Sequence, residues 1–192
     1  MRVFLLCLFL SSCGYLFEGA ERSYSKTTIS IPYVKGDAEG KLTSALTAAL
    51  SASGAFECMQ NGGSLTLMVN ILSQGNDRIG YSYDRSGTKG TLDKNLLPTE
   101  NRKNTVVEIK LVESASDEVI LGPVTVSASI DYDYVDPSSI RDLGFNNHGK
   151  KETSLQFSLG QLDSVEGAQD DAASSLYIVL SKKIVDGILR KL

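Results

Sequence analysis

The stretch KTTISIPYVKGDAEGKLTSALTAAL, residues 26–50, decides the fold, because its apolar spacing changes from that of a strand to that of a helix. Ile29 and Ile31 alternate with polar residues, which predicts a strand, and Pro32 predicts its end or an edge position. The apolar residues that follow recur as on one face of a helix: Leu42, Ala45, Leu46, Ala49 and Leu50. We therefore expect a short strand followed by an amphipathic helix.

The rest of the chain supplies three more predicted strands. Gly54 ends the helix, and the apolar run SLTLMVNILS at 64–73 predicts a strand that lies parallel to the first one, since a helix connects them. Apolar and polar residues alternate within 104–113 and within 119–134, which predicts two strands with one dry and one wet face. The residues ESASDEVILG supply the turn between them, and 74–104 is predicted to be a polar loop with only a weak strand signal at IGYSYD.

A second helix is predicted from about residue 166 to residue 192. Its apolar stripe consists of Ala173, Leu176, Tyr177, Leu180, Ile184 and Ile188. Together with the first helix and the four strands, it predicts an α+β fold. Two helices pack on one face of a four-stranded mixed sheet, and the elements follow the order β-α-β-β-β-α. The opposite face of the sheet then stays wet or meets a partner.

The first twelve residues have the three parts of a secretory signal peptide. Arg2 is followed by an apolar run from Val3 to Leu10 and then by small residues, and the run is shorter than the roughly 20 residues that span a bilayer. We predict three segments: a signal peptide at 1–12, a tether at 13–25 and a single α/β sandwich domain at 26–192. The chain is expected to be exported.

The residues Leu10-Ser11-Ser12-Cys13 resemble the lipobox of bacterial lipoproteins, in which the cysteine is acylated before cleavage. Gly14, in place of Asp, resembles the sorting signal that favours the outer membrane. The resemblance implies a lipid at Cys13 and a protein anchored on the periplasmic side of the outer membrane. The alternative is an ordinary signal peptide with Cys13 as an incidental thiol.

Composition argues against catalysis, cofactors and nucleic acid. The net charge of −4 differs from the basic surface typical of nucleic-acid binders. The single histidine, His148, lies in the loop-like stretch LGFNNHGKK, and phosphate-cradling and dinucleotide motifs are missing from the sequence. We expect a non-enzyme without metal or cofactor, in which Cys58 is a small buried apolar residue rather than an intermolecular bridge.

The order of these segments resembles the lipopolysaccharide-assembly lipoproteins, the LptE family. The resemblance is carried by CGYLFEG at 13–19, by Ile31-Pro32 in the first strand, and by Gly54-Ala55-Phe56 after the first helix. It covers the N-terminal quarter in detail and the remainder through the order of elements. It implies a lipoprotein that sits inside an LptD-like β-barrel translocon, assists its assembly and helps receive lipopolysaccharide. From the family's motif only Cys13 carries over as a functional residue.

Two other classes of function stay open at this point. The chain is also compatible with a pilotin-like or scaffold lipoprotein that binds another secretin or barrel, and with a periplasmic ligand-binding module of the cell envelope. A lipoprotein that sits in the lumen of a barrel is expected to hold one barrel partner tightly, whereas a scaffold lipoprotein is expected to have several weaker partners.

One segment is a candidate contact surface for the barrel or for lipopolysaccharide. Residues 76–104 contain six basic and four acidic residues, a net charge of +2 in an acidic chain. The candidate contact residues are Arg78, Arg85, Lys89 and Lys94. Guanidinium and ammonium groups suit lipid phosphates, and Tyr81 and Tyr83 are placed to rest against sugar or barrel. The alternative is a solvated loop whose charges only maintain solubility.

Overall fold

The computed structural model describes residues 26–86, 91–134, 144–153 and 165–192. The elements are β1 (Thr27–Ser30), α1 (Lys41–Ala52), β2 (Phe56–Met59), β3 (Leu65–Ser86), β4 (Thr91–Glu113), β5 (Val119–Asp133), β6 (Gly144–Asn147), β7 (Lys150–Thr153) and α2 (Val165–Leu189). The predicted signal peptide, the tether and Cys13 lie outside the described residues. No helix of the described part is both long and apolar enough to cross a bilayer.

The first helix forms where the sequence predicts it. Leu42, Leu46 and Leu50 are fully buried along one face of α1. At its start, Asp37 Oδ2 accepts hydrogen bonds of 2.8 Å from both the backbone N–H and the hydroxyl of Thr43, which satisfies one of the amides that a helix start leaves unpaired. At its end, Gly54 has a φ of +71°, a left-handed conformation that suits glycine.

The α+β prediction is confirmed, but in the described part of the chain the main sheet has five strands rather than four, and β6 and β7 form a separate two-stranded sheet. The order of the main sheet is β2-β1-β3-β4-β5, and β1 pairs in parallel with β2 on one side and with the start of β3 on the other. The additional strand β2 has only four residues, too few to show a period in the sequence. Cys58 lies in β2 and is half-buried against the core, so it is less buried than predicted.

The prediction of a polar loop at 74–104 is wrong. β3 and β4 run through this segment as an antiparallel pair. Their pairing extends from Leu65 opposite Glu113 to Ser86 opposite Thr91. Polar residues predominate in this segment, and its few apolar residues do not form the long alternation that identifies a strand. Extra residues at the register shifts near Leu72 and Ile79 also interrupt the period of two.

The core lies between the two helices and one face of the sheet. Every residue of the predicted α2 stripe is buried, and Leu46 and Leu180 are both 0% exposed, as predicted. Val107, Ile109 and Leu111 of β4 face the helices and are buried, which confirms the dry face of that strand. The turn between β4 and β5 lies within the predicted stretch.

The predicted dry face of β5 is only partly correct. Ala128 is buried and Val126 and Ile130 are half-buried, whereas Val124 is 41% exposed. Val124 pairs with Ile109 of β4, and the register shifts between Ile109 and the next paired residue of β4, Leu111. β5 is also the last strand of the sheet, so its side chains are covered on one flank only.

Candidate interaction surfaces

The β3–β4 hairpin extends beyond the rest of the sheet as a two-stranded arm. β5 accompanies β4 only as far as Glu100, opposite Asp133, and β1 accompanies β3 only near its start. We define the arm as residues 80–86 of β3 and 91–100 of β4. At about 3.3 Å per residue, the seven β3 residues of the arm span roughly 20 Å. Apart from the pairing of Glu100 with Asp133 at its base, no third strand pairs with the arm among the described residues.

One face of the arm is apolar and exposed. Tyr81 lies opposite Pro98 and Tyr83 lies opposite Leu96, so these four side chains share a face. Tyr81, Tyr83 and Leu96 are 54%, 58% and 56% exposed. A cluster of large exposed apolar side chains on a protruding ribbon is typical of a contact surface rather than of ordinary solvent exposure.

The hairpin brings the predicted basic residues only partly together. Arg85 lies in the arm opposite Leu92, and Lys94 lies in the facing strand, whereas Lys89 is outside the described residues. Arg78 is exposed and lies opposite Asn101, seven residues before Arg85. That separation is roughly 23 Å along a strand, so Arg78 belongs to the base of the arm and not to its end.

Side-chain hydrogen bonds on both faces hold the base of the arm. On one face, Arg102 donates two hydrogen bonds of 2.6 and 2.7 Å to the carboxylate of Asp131, which lowers the pKa of Asp131 below its usual range. On the other face, the hydroxyl of Tyr132 donates to Asn76 and accepts a bond from Asn101. These contacts join β3, β4 and β5, so the arm starts from a rigid base.

The sheet face opposite the helices has no helix over it in the described part of the chain. Small hydroxyl side chains follow one another from β1 through β3 to the first residue after β4: Ser30 Oγ lies 3.1 Å from Thr66 Oγ1, which lies 2.9 Å from Ser114 Oγ. Ser127 and Ser129 continue the polar surface on β5. We call this surface the open face. These side chains give it the polar character that the sequence predicts for the face away from the core, and Met68, which lies opposite Lys110 and is 47% exposed, adds an apolar side chain to it.

A polar cleft of about 380 Å³ lies on the helix side of the sheet. Its lining comes from the loop before α1, from β3 and β4, and from the first half of α2, and includes Glu39, Lys41, Gln74, Lys103, Asp170 and Tyr177. Lys41 Nζ lies 2.8 Å from Glu39 and also contacts Asp170, and hydrogen bonds to these carboxylates raise its pKa. Gln74 Nε2 donates a 2.8 Å hydrogen bond to the hydroxyl of Tyr177.

Lys103 is the exceptional residue of the cleft. It is half-buried, and no described carboxylate lies within ion-pair distance of its ammonium. Loss of hydration lowers the pKa of Lys103, while the more distant Asp170 partly offsets that shift. No sequence pattern indicates this cleft, because its residues come from four separate segments and share no spacing.

His148, which is predicted to lie in a loop, is not one of the residues that line the cleft. His148 lies in the tight turn between β6 and β7 with a φ of +50°, which agrees with the predicted loop. Its Nδ1 lies 2.7 Å from Asn147 Oδ1. The described residues contain no group of three or more histidine, cysteine and acidic side chains arranged to hold a metal ion.

Comparisons with known proteins give similarities in structure only. No family model matches the chain. No curated protein matches it. A minor lipoprotein of Acinetobacter baumannii is 13% identical over 85% of this chain and 93% of that chain, with a TM-score of 0.44. Rare lipoprotein B of Shewanella oneidensis is 12% identical over 85% and 94%, with a TM-score of 0.44. A hypothetical protein of Chlamydia trachomatis is 10% identical over 85% and 95%, with a TM-score of 0.46.

Proposed function

We propose that the chain is an outer-membrane lipoprotein that acts as plug and assembly partner of a β-barrel translocon for lipopolysaccharide. The lipid at Cys13 holds it on the periplasmic side, and an LptD-like barrel is its partner. The open face is the observation that carries this proposal, because it is an extended sheet surface with no helix over it in the described residues. A surface of that kind is available to a large partner.

The chemistry of the open face favours a polar partner wall. The Ser30, Thr66 and Ser114 hydroxyls offer both donors and acceptors, and further along the same face Arg102 and Asp131 neutralise each other's charges. The interior of a transmembrane β-barrel is lined by polar side chains, whereas its apolar band faces outward to lipid. Hydroxyl-rich and charge-balanced surfaces therefore suit the lumen better than the lipid.

The topology separates the proposed anchor from the arm. β1 runs parallel to the start of β3, so the tether joins the sheet at the end where β3 begins. Ser86 lies 21 residues further along β3, roughly 60 to 70 Å away for an extended strand. A tether of thirteen residues adds at most about 45 Å. The arm therefore points away from the membrane anchor and reaches parts of a partner that the anchored end does not.

Site-specific photo-crosslinking in cells tests the proposed function. A photoreactive residue at Ser129, on the open face, is expected to crosslink to one outer-membrane barrel. The same residue at Ser174, exposed on α2, serves as the matched control and is expected to crosslink less. Crosslinks to several unrelated proteins would favour a scaffold lipoprotein. An outer-membrane-resident protein that crosslinks to no barrel from either position would contradict the proposal.

Reversing the charges of Arg78, Arg85, Lys89 and Lys94 is expected to weaken association with the barrel or with lipopolysaccharide. Exposed ionic contacts are screened as the Debye length falls from about 10 Å at 0.1 M salt to about 3 Å at 1 M. The difference between variant and parent in the strength of association should therefore be largest in low salt. Co-purification from detergent-solubilised outer membranes, repeated over a salt series, measures it.

The matched control reverses four exposed basic residues elsewhere: Lys150, Lys182, Arg190 and Lys191. It changes the net charge by the same amount and leaves the hairpin intact. If both variants retain the barrel as the parent does, the basic residues of the hairpin only maintain solubility.

A further inference from the structure

The polar cleft behind the sheet takes no part in the proposed function. We infer that it binds a small carboxylate-bearing molecule that also carries an ammonium or hydroxyl group, of the size of an amino acid. This inference is independent of the barrel partnership, because the cleft lies on the helix side and the open face lies on the other. A volume of about 380 Å³ falls within the range of small-ligand pockets.

Two hydrogen-bond donors of the cleft lack an acceptor among the described residues. The Lys103 ammonium is half-buried, and the two carboxylates that act on it electrostatically, Asp170 and Glu39, are already paired with Lys41. The hydroxyl of Tyr177 accepts its bond from Gln74, which leaves its own proton free to donate. A half-buried donor without an acceptor is unfavourable, and a carboxylate bound in the cleft that both residues line would supply acceptors to them.

Acidic and amide side chains surround these donors and narrow the class of ligand. Glu39, Glu166 and Asp170 line the cleft together with Gln169. Three carboxylates against the ammonium groups of Lys41 and Lys103 disfavour a multiply charged anion such as phosphate. The same carboxylates accept hydrogen bonds from an ammonium or hydroxyl at the other end of the ligand. A single carboxylate with a donor group satisfies both parts of the cleft.

Titration of the full, lipidated protein in detergent tests the inference, with backbone amide chemical shifts as the readout. The probes are L-alanine, acetate and inorganic phosphate. L-Alanine is expected to bind most tightly, acetate more weakly, and phosphate most weakly. The shifts should be confined to residues around the cleft.

Two substitutions remove the donors individually. Lys103→Met is expected to weaken binding of L-alanine by about tenfold or more, as loss of a charged hydrogen bond does, and Tyr177→Phe should weaken it by less. Lys110→Met is the matched control, because Lys110 is a half-buried lysine of the same strand that lies on the open face. The Lys110→Met protein should bind L-alanine as tightly as the parent does. The melting temperature of Lys103→Met should not fall, because the ammonium has no described partner to lose.

Three results would overturn the inference. They are a parent protein that saturates with neither carboxylate, a folded Lys103→Met protein that binds L-alanine as tightly as the parent, and phosphate as the tightest of the three probes. The crosslink from Ser129 to a barrel should persist in Lys103→Met. Failure of the cleft to bind a carboxylate and failure of the barrel partnership are thus separate outcomes.

Discussion

Leu180→Ala is expected to lower the free energy of unfolding by about 2–5 kcal/mol, the usual cost of deleting a fully buried leucine side chain. Leu180 is 0% exposed on α2 and belongs to the core that both helices form with the sheet. Leu46→Ala on α1 should have an effect in the same range, since Leu46 is also 0% exposed. Both substitutions leave a cavity that the surrounding strands close only in part.

Chemical denaturation followed by far-ultraviolet circular dichroism measures these effects. Ile178→Ala is the matched control, because Ile178 lies two residues before Leu180 on the outer side of α2 and is 64% exposed. It should change the free energy of unfolding by no more than about 0.5 kcal/mol, as surface substitutions usually do. Unchanged midpoints in Leu46→Ala and Leu180→Ala would show that the two apolar stripes do not form the core.

The elements that bury an apolar stripe were predictable from the sequence, because burial itself creates the pattern. α1 and α2 each place an apolar face on the sheet, and the period of their apolar residues identifies both helices. The same reasoning identifies the inner half of β4, where Val107, Ile109 and Leu111 are buried. It also identifies the parallel pairing of β1 with β3, because a helix joins the two strands.

The arm was not predictable, because none of its described side chains belongs to the hydrophobic core. Its strands are held by backbone pairing, with Tyr81 opposite Pro98 and Tyr83 opposite Leu96, and such pairing leaves no apolar period in the sequence. What the sequence did contain was two tyrosines spaced by two within IGYSYD, which is a strand-like spacing. A polar segment with exposed tyrosines at that spacing is better interpreted as a possible hairpin than as a loop.

The cleft illustrates a different limit of sequence reasoning. Lys41 and Asp170 are 129 residues apart and meet only because α1 and α2 lie on the same face of the sheet. Lys103 enters the cleft from β4, within a segment for which the sequence predicts a loop. The chemistry of such a site depends on strand register and helix packing, which one sequence without a known fold does not supply.

Cys13→Ser is expected to abolish anchoring by the lipid, the largest change in localisation that a single substitution in this chain should cause. A serine hydroxyl cannot take the place of the thiol that is acylated at a lipobox. Each buried methylene of an acyl chain contributes about 0.8 kcal/mol, and two chains already give stable anchoring, so loss of the lipid removes the dominant membrane affinity. The variant should accumulate as an unprocessed precursor or appear in the soluble fraction.

Fractionation of cell envelopes, combined with mass spectrometry of the N-terminus, measures this outcome. Cys58→Ser is the matched control, because Cys58 lies in β2 and its side chain packs against the core of the domain. That variant should remain processed, lipidated and in the membrane fraction, which separates the effect of acylation from that of losing a thiol. An unmodified Cys13 inside a longer mature chain would contradict the lipobox prediction.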